Sequence, residues 1–363
     1  MEIKYRFYLC FSFKQRLVAR SNKFILREWV LSIFDAIYPI PMSSILKKIL
    51  LAVLIPVAFA LFTRLLFGTA GLTLWGVMTI AFIFFVPFAM GALTIYFSNI
   101  ENVKSRGYRI AMPWIPVIIF MIITIFFTIE GWACWVMILP LFMLAASVGG
   151  LIAGHFKLNK HRRENLNICL LIFLPLLLSP LEQQIAKIPG RYKADTHIDI
   201  HASKEDIWSN VTRVSEISTS QDKGWFTRFL GFPRPIKAEL NYEGLGAYRK
   251  AIFDKGLVFD ETVTEYEHER KMTFTIKANP YEIPSTTMDE HVVIGGEYFD
   301  VLNGTYELEQ LDNETYRLHL FSYFKLTTTF NFYASWWAGW IMKDIQNNIL
   351  QIVKERAEHG PQN

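Results

Sequence analysis

Charge is scarce in this sequence: Asp, Glu, Lys and Arg make up only 19% of its 363 residues. With 52% hydrophobic residues and a mean hydropathy of +0.24, this is not the composition of one water-soluble globule. Disorder is excluded too, because a chain this apolar buries enough surface to offset its ordering entropy. Cysteine is nearly absent. Cys10, Cys134 and Cys169 all precede residue 182, so the second half forms no internal disulfide. Also missing are the P-loop, G-x-G-x-x-G, G-x-S-x-G, H-E-x-x-H and C-x-x-C patterns, which removes the chemistries most easily read from sequence.

What is present falls into two unlike halves. Residues 1–181 hold 17 Lys and Arg against 6 Asp and Glu, and residues 182–363 hold 20 against 27. The net charge of +4 therefore combines a basic half with an acidic one. An acidic second half argues against nucleic acid as a partner, since its binders display a basic face.

The first half reads as membrane. Four apolar runs (49–67, 72–97, 111–129 and 132–156) approach or exceed the ~20 residues that cross a bilayer. A fifth, 166–181, holds 16 residues including Pro175, short of a ~30 Å core unless its helix extends past Glu182. Nine Lys and Arg precede residue 49, three lie between 98 and 110, and four between 157 and 165, whereas the turns at 68–71 and 130–131 have none. The positive-inside rule then places the N-terminus in the cytoplasm. Five spans would put the second half in the periplasm of a bacterial inner membrane; four would keep it cytoplasmic. Five is the expectation, because a 16-residue uncharged run is costly to leave wet. Arg64 is expected to snorkel to the headgroups, beside an aromatic belt of Trp75, Trp132 and Trp135. The sequence displays no pair of ionisable residues within the apolar runs, which argues against a pump or channel.

The expected division is a cytoplasmic segment at 1–45, membrane helices at 46–182, a linker at 183–192, a soluble domain at 193–358 and a tail at 359–363. Residues 24–40 have the pattern of an interfacial helix. Met42-Ser-Ser-Ile-Leu-Lys-Lys before an apolar run has the form of an alternative start; a peptide found upstream would exclude it.

From Lys193 the periodicity changes. Thr196, Ile198 and Ile200 alternate with His197, Asp199 and His201, as in a half-buried strand. Ser203 followed by Asp206 predicts a capped helix through Ile207, Trp208 and Val211. Strands are predicted at 237–242, 246–253, 257–266, 271–277, 298–310 and 315–326, and a long helix at 333–358 with Trp337, Ile341, Ile345, Ile349 and Ile352 on its apolar stripe. This order predicts an α+β domain with a curved antiparallel sheet around one helix.

The string His197-Ile-Asp-Ile-His-Ala-Ser-Lys-Glu-Asp-Ile-Trp208 resembles the opening strand and helix of the START-like, or SRPBCC, superfamily, which includes polyketide cyclases and the birch-pollen allergen. Gly246-Ala-Tyr-Arg249, Gly256, Glu261-Thr-Val, Arg270-Lys-Met-Thr-Phe274, Gly304-Thr-Tyr-Glu-Leu308 and Asn313-Glu-Thr315 are similar to its later segments, in order, over about residues 190–358. The chain resembles the bacterial subset whose domain follows a membrane region. The resemblance implies a helix-grip fold enclosing an apolar cavity, but not an activity, because members range from lipid carriers to enzymes.

One constellation follows from the residues alone. Asp254-Lys255-Gly256 is a good three-residue hairpin loop. Closing it pairs Phe253 with Leu257, Ala251 with Phe259, Arg249 with Glu261 and Ala247 with Val263 on one face, and Lys250 with Asp260 on the other. Arg249 and Glu261 stand alone on an otherwise apolar face, where they are tolerable as a pair and expensive singly. They read as a structural ion pair or as the holder of a ligand's polar head. A one-residue bulge would turn both to solvent.

Other candidates are weaker. His197-x-Asp199-x-His201 resembles a metal site, but is more simply the wet face of the first strand; no metal is expected. His319 shares a face with Phe321 and Tyr323 and is expected in the core or cavity, with acid/base chemistry the alternative. Tyr298 is a further cavity candidate, and Trp336, Trp337 and Trp340 are core or cavity lip. Residues 278–296, including His291, have the length of a lid.

The expected function is a membrane-anchored module that binds an apolar or amphipathic small molecule of lipid or isoprenoid class. Its ligand-binding candidates are Arg249, Glu261, Phe259, Tyr298, His319 and Trp337. No cofactor, metal or catalytic residue is assigned; the partners are membrane lipids and the hydrophobic ligand. The alternatives are a cyclase-, dehydratase- or hydrolase-like enzyme using Glu261 or His319 as base, and a non-catalytic membrane interaction or assembly protein.

Overall fold

The computed structural model describes residues 44–68, 76–159, 168–184, 189–278 and 294–360. The expected interfacial helix, the alternative start and most of the expected lid, with His291, lie outside the described residues.

Each apolar run carries helix. The first is α1 (Ser44–Phe67), and the second is a π-helical turn (Ala81–Phe85) that continues as α2 (Val86–Phe97). The short α3 (Ile100–Val103) and α4 (Arg106–Ala111) carry the basic loop into α5 (Trp114–Phe126), with Pro113 at its N-cap. Then come α6 (Trp132–Leu158) and α7 (Ile168–Gln184), which does extend past Glu182. Among the described residues, Lys47–Phe67, Arg106–Phe126 and Trp132–Leu158 are long and apolar enough to cross a membrane. Ala81–Phe97 is shorter, and α7 has 17 residues, about 26 Å of helix.

Small residues let α2 and α6 approach. A Cβ on Gly91 would fall 1.9 Å from the Ala146 carbonyl oxygen, and one on Gly149 2.0 Å from that of Phe88. Helices in lipid associate through such backbone contact, because lipid tails supply no hydrophobic drive. Two carboxylates then tie loops to helices. Glu182 accepts from the N–H groups of Ile80 and Ala81 at 2.7 and 2.8 Å, satisfying donors at a helix start. Arg64, expected to snorkel, is buried instead: its Nε donates to Glu130 at 2.5 Å and its guanidinium reaches the Ile129 carbonyl at 3.2 Å. The hairpin between α5 and α6 brings Glu130, in the turn between two apolar runs, back to α1, 66 residues away in sequence. Gly68 makes the room, since a Cβ there would stand 2.0 Å from the guanidinium.

The second half folds as predicted, an α+β domain. Its strands are β1 (Gly190–His201), β2 (Pro235–Leu240), β3 (Tyr248–Phe253), β4 (Val258–Glu267), β5 (Lys271–Ala278), β6 (Phe299–Gln310) and β7 (Thr315–Leu326). They form one antiparallel sheet in the order β1-β7-β6-β5-β4-β3-β2. Two short helices, α8 (Lys204–Thr212) and α9 (Trp225–Leu230), separate β1 from β2, which lie at opposite edges of the sheet, and β1 pairs with β7. Ser203 caps α8 by accepting from the Asp206 N–H at 3.1 Å. The long α10 (Asn331–His359) packs into the concave face, burying Ala338, Ile341, Met342, Leu350, Ile352 and Val353.

The domain rests on one end of the helical bundle. Phe330 and Tyr333, at the start of α10, pack with Phe82, Phe120, Trp135 and Phe142 from the membrane helices. The Tyr333 hydroxyl donates to the Met137 carbonyl at 2.5 Å, and the Ile80 N–H reaches Thr329 Oγ1 at 3.3 Å. The Trp132 and Phe229 rings meet edge to face with centroids 5.9 Å apart. Far along α6, Lys157 Nζ donates to the Ile95, Tyr96 and Ser98 carbonyls at 2.8, 2.7 and 2.5 Å. The domain therefore packs at the end of the bundle opposite Lys157 and the basic stretch 104–109.

Candidate ligand-binding site

The β3–β4 hairpin positions the central pair. Lys255 and Gly256 take positive φ (56° and 82°), reversing the chain in three residues. The register follows: Ala251 opposes Phe259, Arg249 opposes Glu261 and Lys250 opposes Asp260. No bulge intervenes between these pairs, so Arg249 and Glu261 point into the concave side, 4% and 3% exposed.

There the sheet and α10 enclose a cavity of about 120 Å³. Its walls are mostly apolar, with Ala251, Phe253, Phe259 and Phe274 from the sheet and Met342, Ile345 and Ile349 from α10. Arg249 and Glu261 line it as a hydrogen-bonded ion pair, and the guanidinium carbon lies 5.2 Å from the centre of the Phe274 ring. Tyr306, buried beside the pair, interacts with the same guanidinium. Among the described residues Arg249 Nε has no hydrogen-bond partner, leaving one donor unsatisfied in the wall. Burial pushes the Glu261 carboxyl above the ordinary carboxylate value, against the pull of Arg249. Burial raises the Tyr306 phenol as well.

A second polar cluster, absent from the sequence reading, lies on the facing wall. Gln346 of α10 donates to Ser322 Oγ at 3.1 Å, and its carbonyl accepts from Thr196 Oγ1 at 3.2 Å. Gln346 and Ser322 both line the cavity. A lone Gln between Met342 and Ile349 on an apolar helix face was the available signal.

The remaining candidates lie elsewhere. Tyr298 and Trp337 line a separate cavity of about 130 Å³ between the domain and the membrane helices. Burial and neighbouring Glu297 push the Tyr298 phenol up to about 12. Trp337 stacks on Phe226 at 6.3 Å. His319 is the correction. It lines neither cavity but sits on the outer face of β7, 3.2 Å from Glu309 and with the tilted His197 ring 5.6 Å away. Leu318, Leu320, Ser322 and Phe324 take the inward positions of that strand, so Phe321 and Tyr323 mark its outer face. The His-x-Asp-x-His string is engaged similarly: Asp199 accepts two bonds from Arg317 at 2.7 and 3.0 Å, and His201 pairs with Thr315. Among the described residues no three His, Cys, Asp or Glu side chains converge as metal ligands would.

No protein-family model matches this chain. No curated protein matches it either. Several solved structures are similar to part of it. A protein from Nitrosospira multiformis shares 16% identity over 46% of this chain and 97% of its own, with a TM-score of 0.30. A START superfamily protein from Mycobacterium smegmatis shares 9% over 46% and 97%, also at 0.30. Norcoclaurine synthase from Thalictrum flavum, in complex with dopamine and hydroxybenzaldehyde, shares 12% over 49% and 92%, at 0.27.

Proposed function

We propose that the protein is a membrane-tethered START-like module that holds a neutral, amphipathic small molecule between its sheet and α10. The carrying observation is the apolar cavity whose wall contains the buried Arg249–Glu261 pair with an unsatisfied Arg249 Nε. Apolar walls supply affinity by excluding water, and sparse polar groups set orientation. The charges of Arg249 and Glu261 cancel within that pair, Lys237 at the rim is paired with Glu239 at 2.6 Å, and the other polar groups, Tyr306, Gln346 and Ser322, are uncharged. An anionic head would meet only cations already held by carboxylates and would lose its hydration. A hydroxyl or carbonyl head is the better match. The volume also sets a size, because an engineered apolar cavity of ~150 Å³ holds one benzene. A ring or short chain fills about 120 Å³; a long chain overfills it.

The test is a titration of the full chain, in detergent, with radiolabelled butanol and butyrate. The reading expects the alcohol to bind at least about tenfold more tightly at neutral pH; equal binding, or tighter binding of the carboxylate, counts against it.

A second reading, an enzyme using the same cavity, is favoured by one observation: Glu261 lines the cavity with a raised pKa, as a general acid or base requires. Its engagement with Arg249 weighs against it. Turnover lost in Glu261→Gln with binding retained would favour the enzyme.

Five spans accord with the docking, since α7 leads from the basic loop to the domain-bearing end of the bundle. The domain and the described basic residues, 104–109 and Lys157, lie at opposite ends, which supports a domain outside the cytoplasm by the positive-inside rule. For a bacterial inner membrane that is the periplasm. Alkaline phosphatase fused after Asn363 is expected to be active; an inactive fusion with an active cytoplasmic reporter would reverse the assignment.

A further inference from the structure

The geometry points to a second binding compartment in series with the first: the cavity between the domain and the membrane helices receives an apolar chain from the bilayer and passes it to the inner cavity. This rests on the ligand-binding reading above and goes beyond it by assigning a site, a route and a longer ligand class.

Three observations carry it. First, the two cavities adjoin. Ala338 and Ile341 of α10 line the outer one, while Met342 and Ile345, on the next turn, line the inner; Phe232 lines both. Second, the outer cavity is walled from both sides, by Met78, Cys134 and Phe142 of the membrane half and by Ala334 and Trp337 of the domain. Its ionised groups, Arg64 and Glu130, are paired, so its interior presents an apolar, charge-balanced surface. Third, the domain beside it is aromatic and exposed. Trp336 and Trp340, 64% and 56% exposed, contact Tyr333 and Trp337 of the cavity wall, and Phe229 abuts Trp132. Such residues sit at the headgroup level of a bilayer.

Volume decides what the pair can hold. Cavities of about 130 and 120 Å³ each take a benzene-sized group, and joined they take a longer chain. Phe232 is the partition. It follows Gly231, whose φ of +80° ends α9, and its backbone N–H is held by the Thr227 carbonyl at 2.9 Å. A fixed backbone with a half-buried ring leaves side-chain rotation as the opening motion.

The test uses the full chain in phosphatidylcholine nanodiscs containing diazirine-bearing hexadecanol, photolysed at intervals, with labelled residues mapped by mass spectrometry. The expected result is label on Cys134 or Ala334 early and on Ala251 or Met342 later. Ala334→Phe fills the outer cavity from the domain side and Met78→Phe from the membrane side. Each is expected to slow labelling of the inner residues about tenfold, while inner labelling by diazirine-bearing butanol added from water stays within about twofold of wild type. Inner labelling at the wild-type rate in both variants overturns the route and leaves the ligand-binding reading intact. Absence of inner label by either probe in the wild type overturns both.

Discussion

Arg249 and Glu261 face one another across neighbouring strands, twelve residues apart in sequence, and both are almost wholly withdrawn from water. Removing one member of such a pair strands the other's charge, at a cost of about 3–5 kcal/mol, whereas replacing both with apolar groups is neutral or stabilising by about 1–4 kcal/mol. Arg249→Met is therefore expected to lower the domain's stability by about 3 kcal/mol, and Arg249→Met with Glu261→Leu to restore it, in chemical denaturation followed by tryptophan fluorescence. Retention of butanol is expected to fall in the double variant, and in Glu261→Gln, even where folding is intact. Unchanged retention would make the pair purely structural.

The same pair sets a pH dependence. Burial raises the folded-state pKa of Glu261, so the folded protein binds its proton more readily than the unfolded chain. That contribution is complete below the ordinary carboxyl value of 4.5 and is lost as pH rises through the raised value. Asp199 has the opposite sign. The Arg317 hydrogen bonds lower its pKa, so its contribution is present above 3.8 and is lost as pH falls through the folded value. Denaturation midpoints against pH are expected to lose their alkaline-side decline in Glu261→Gln and their acid-side decline in Asp199→Asn.

Close contact of α2 and α6 makes another prediction. Gly149→Val places branched carbons where the Phe88 carbonyl oxygen stands. Overpacking of this kind costs about 1–3 kcal/mol. The variant is expected to lose its monodisperse peak in detergent chromatography, whereas Gly339→Ala, with nothing near the new Cβ, is not.

Arg64 and Glu130 offer a parallel test at the docking end. Glu130→Gln leaves a buried guanidinium beside a neutral amide and is expected to cost about 3 kcal/mol. Gly68→Ala presses on the same guanidinium from the other side. Both are expected to lower the thermal midpoint in micelles, while the exposed pair of Lys104 and Glu101 is expected to contribute under about 1 kcal/mol.

Much of the domain was legible because local rules coincided. The loop at Asp254–Gly256 fixed the register of β3 and β4, and alternation then assigned Arg249, Glu261 and Phe259 to one face. The long α10 declared itself by its apolar stripe. What escaped was non-local or violated the pattern. Gln346 and Ser322 interrupt apolar faces, and only the fold brings them 3.1 Å apart. Arg64 finds Glu130 through two intervening helical hairpins, which no spacing rule connects. His319 misled because aromatic Phe321 and Tyr323 lie on the outer face of β7 while Ser322 lies inside. The division between two cavities, with Tyr298 and Trp337 in the outer one, needed the docked domain.

Native mass spectrometry of the intact chain, released from micelles after purification from its membrane, weighs the guest directly. The account predicts a bound species of one small uncharged amphiphile, displaced when Ala251→Trp fills the inner cavity. A chain that carries no added mass after extraction and still rejects added butanol would contradict it.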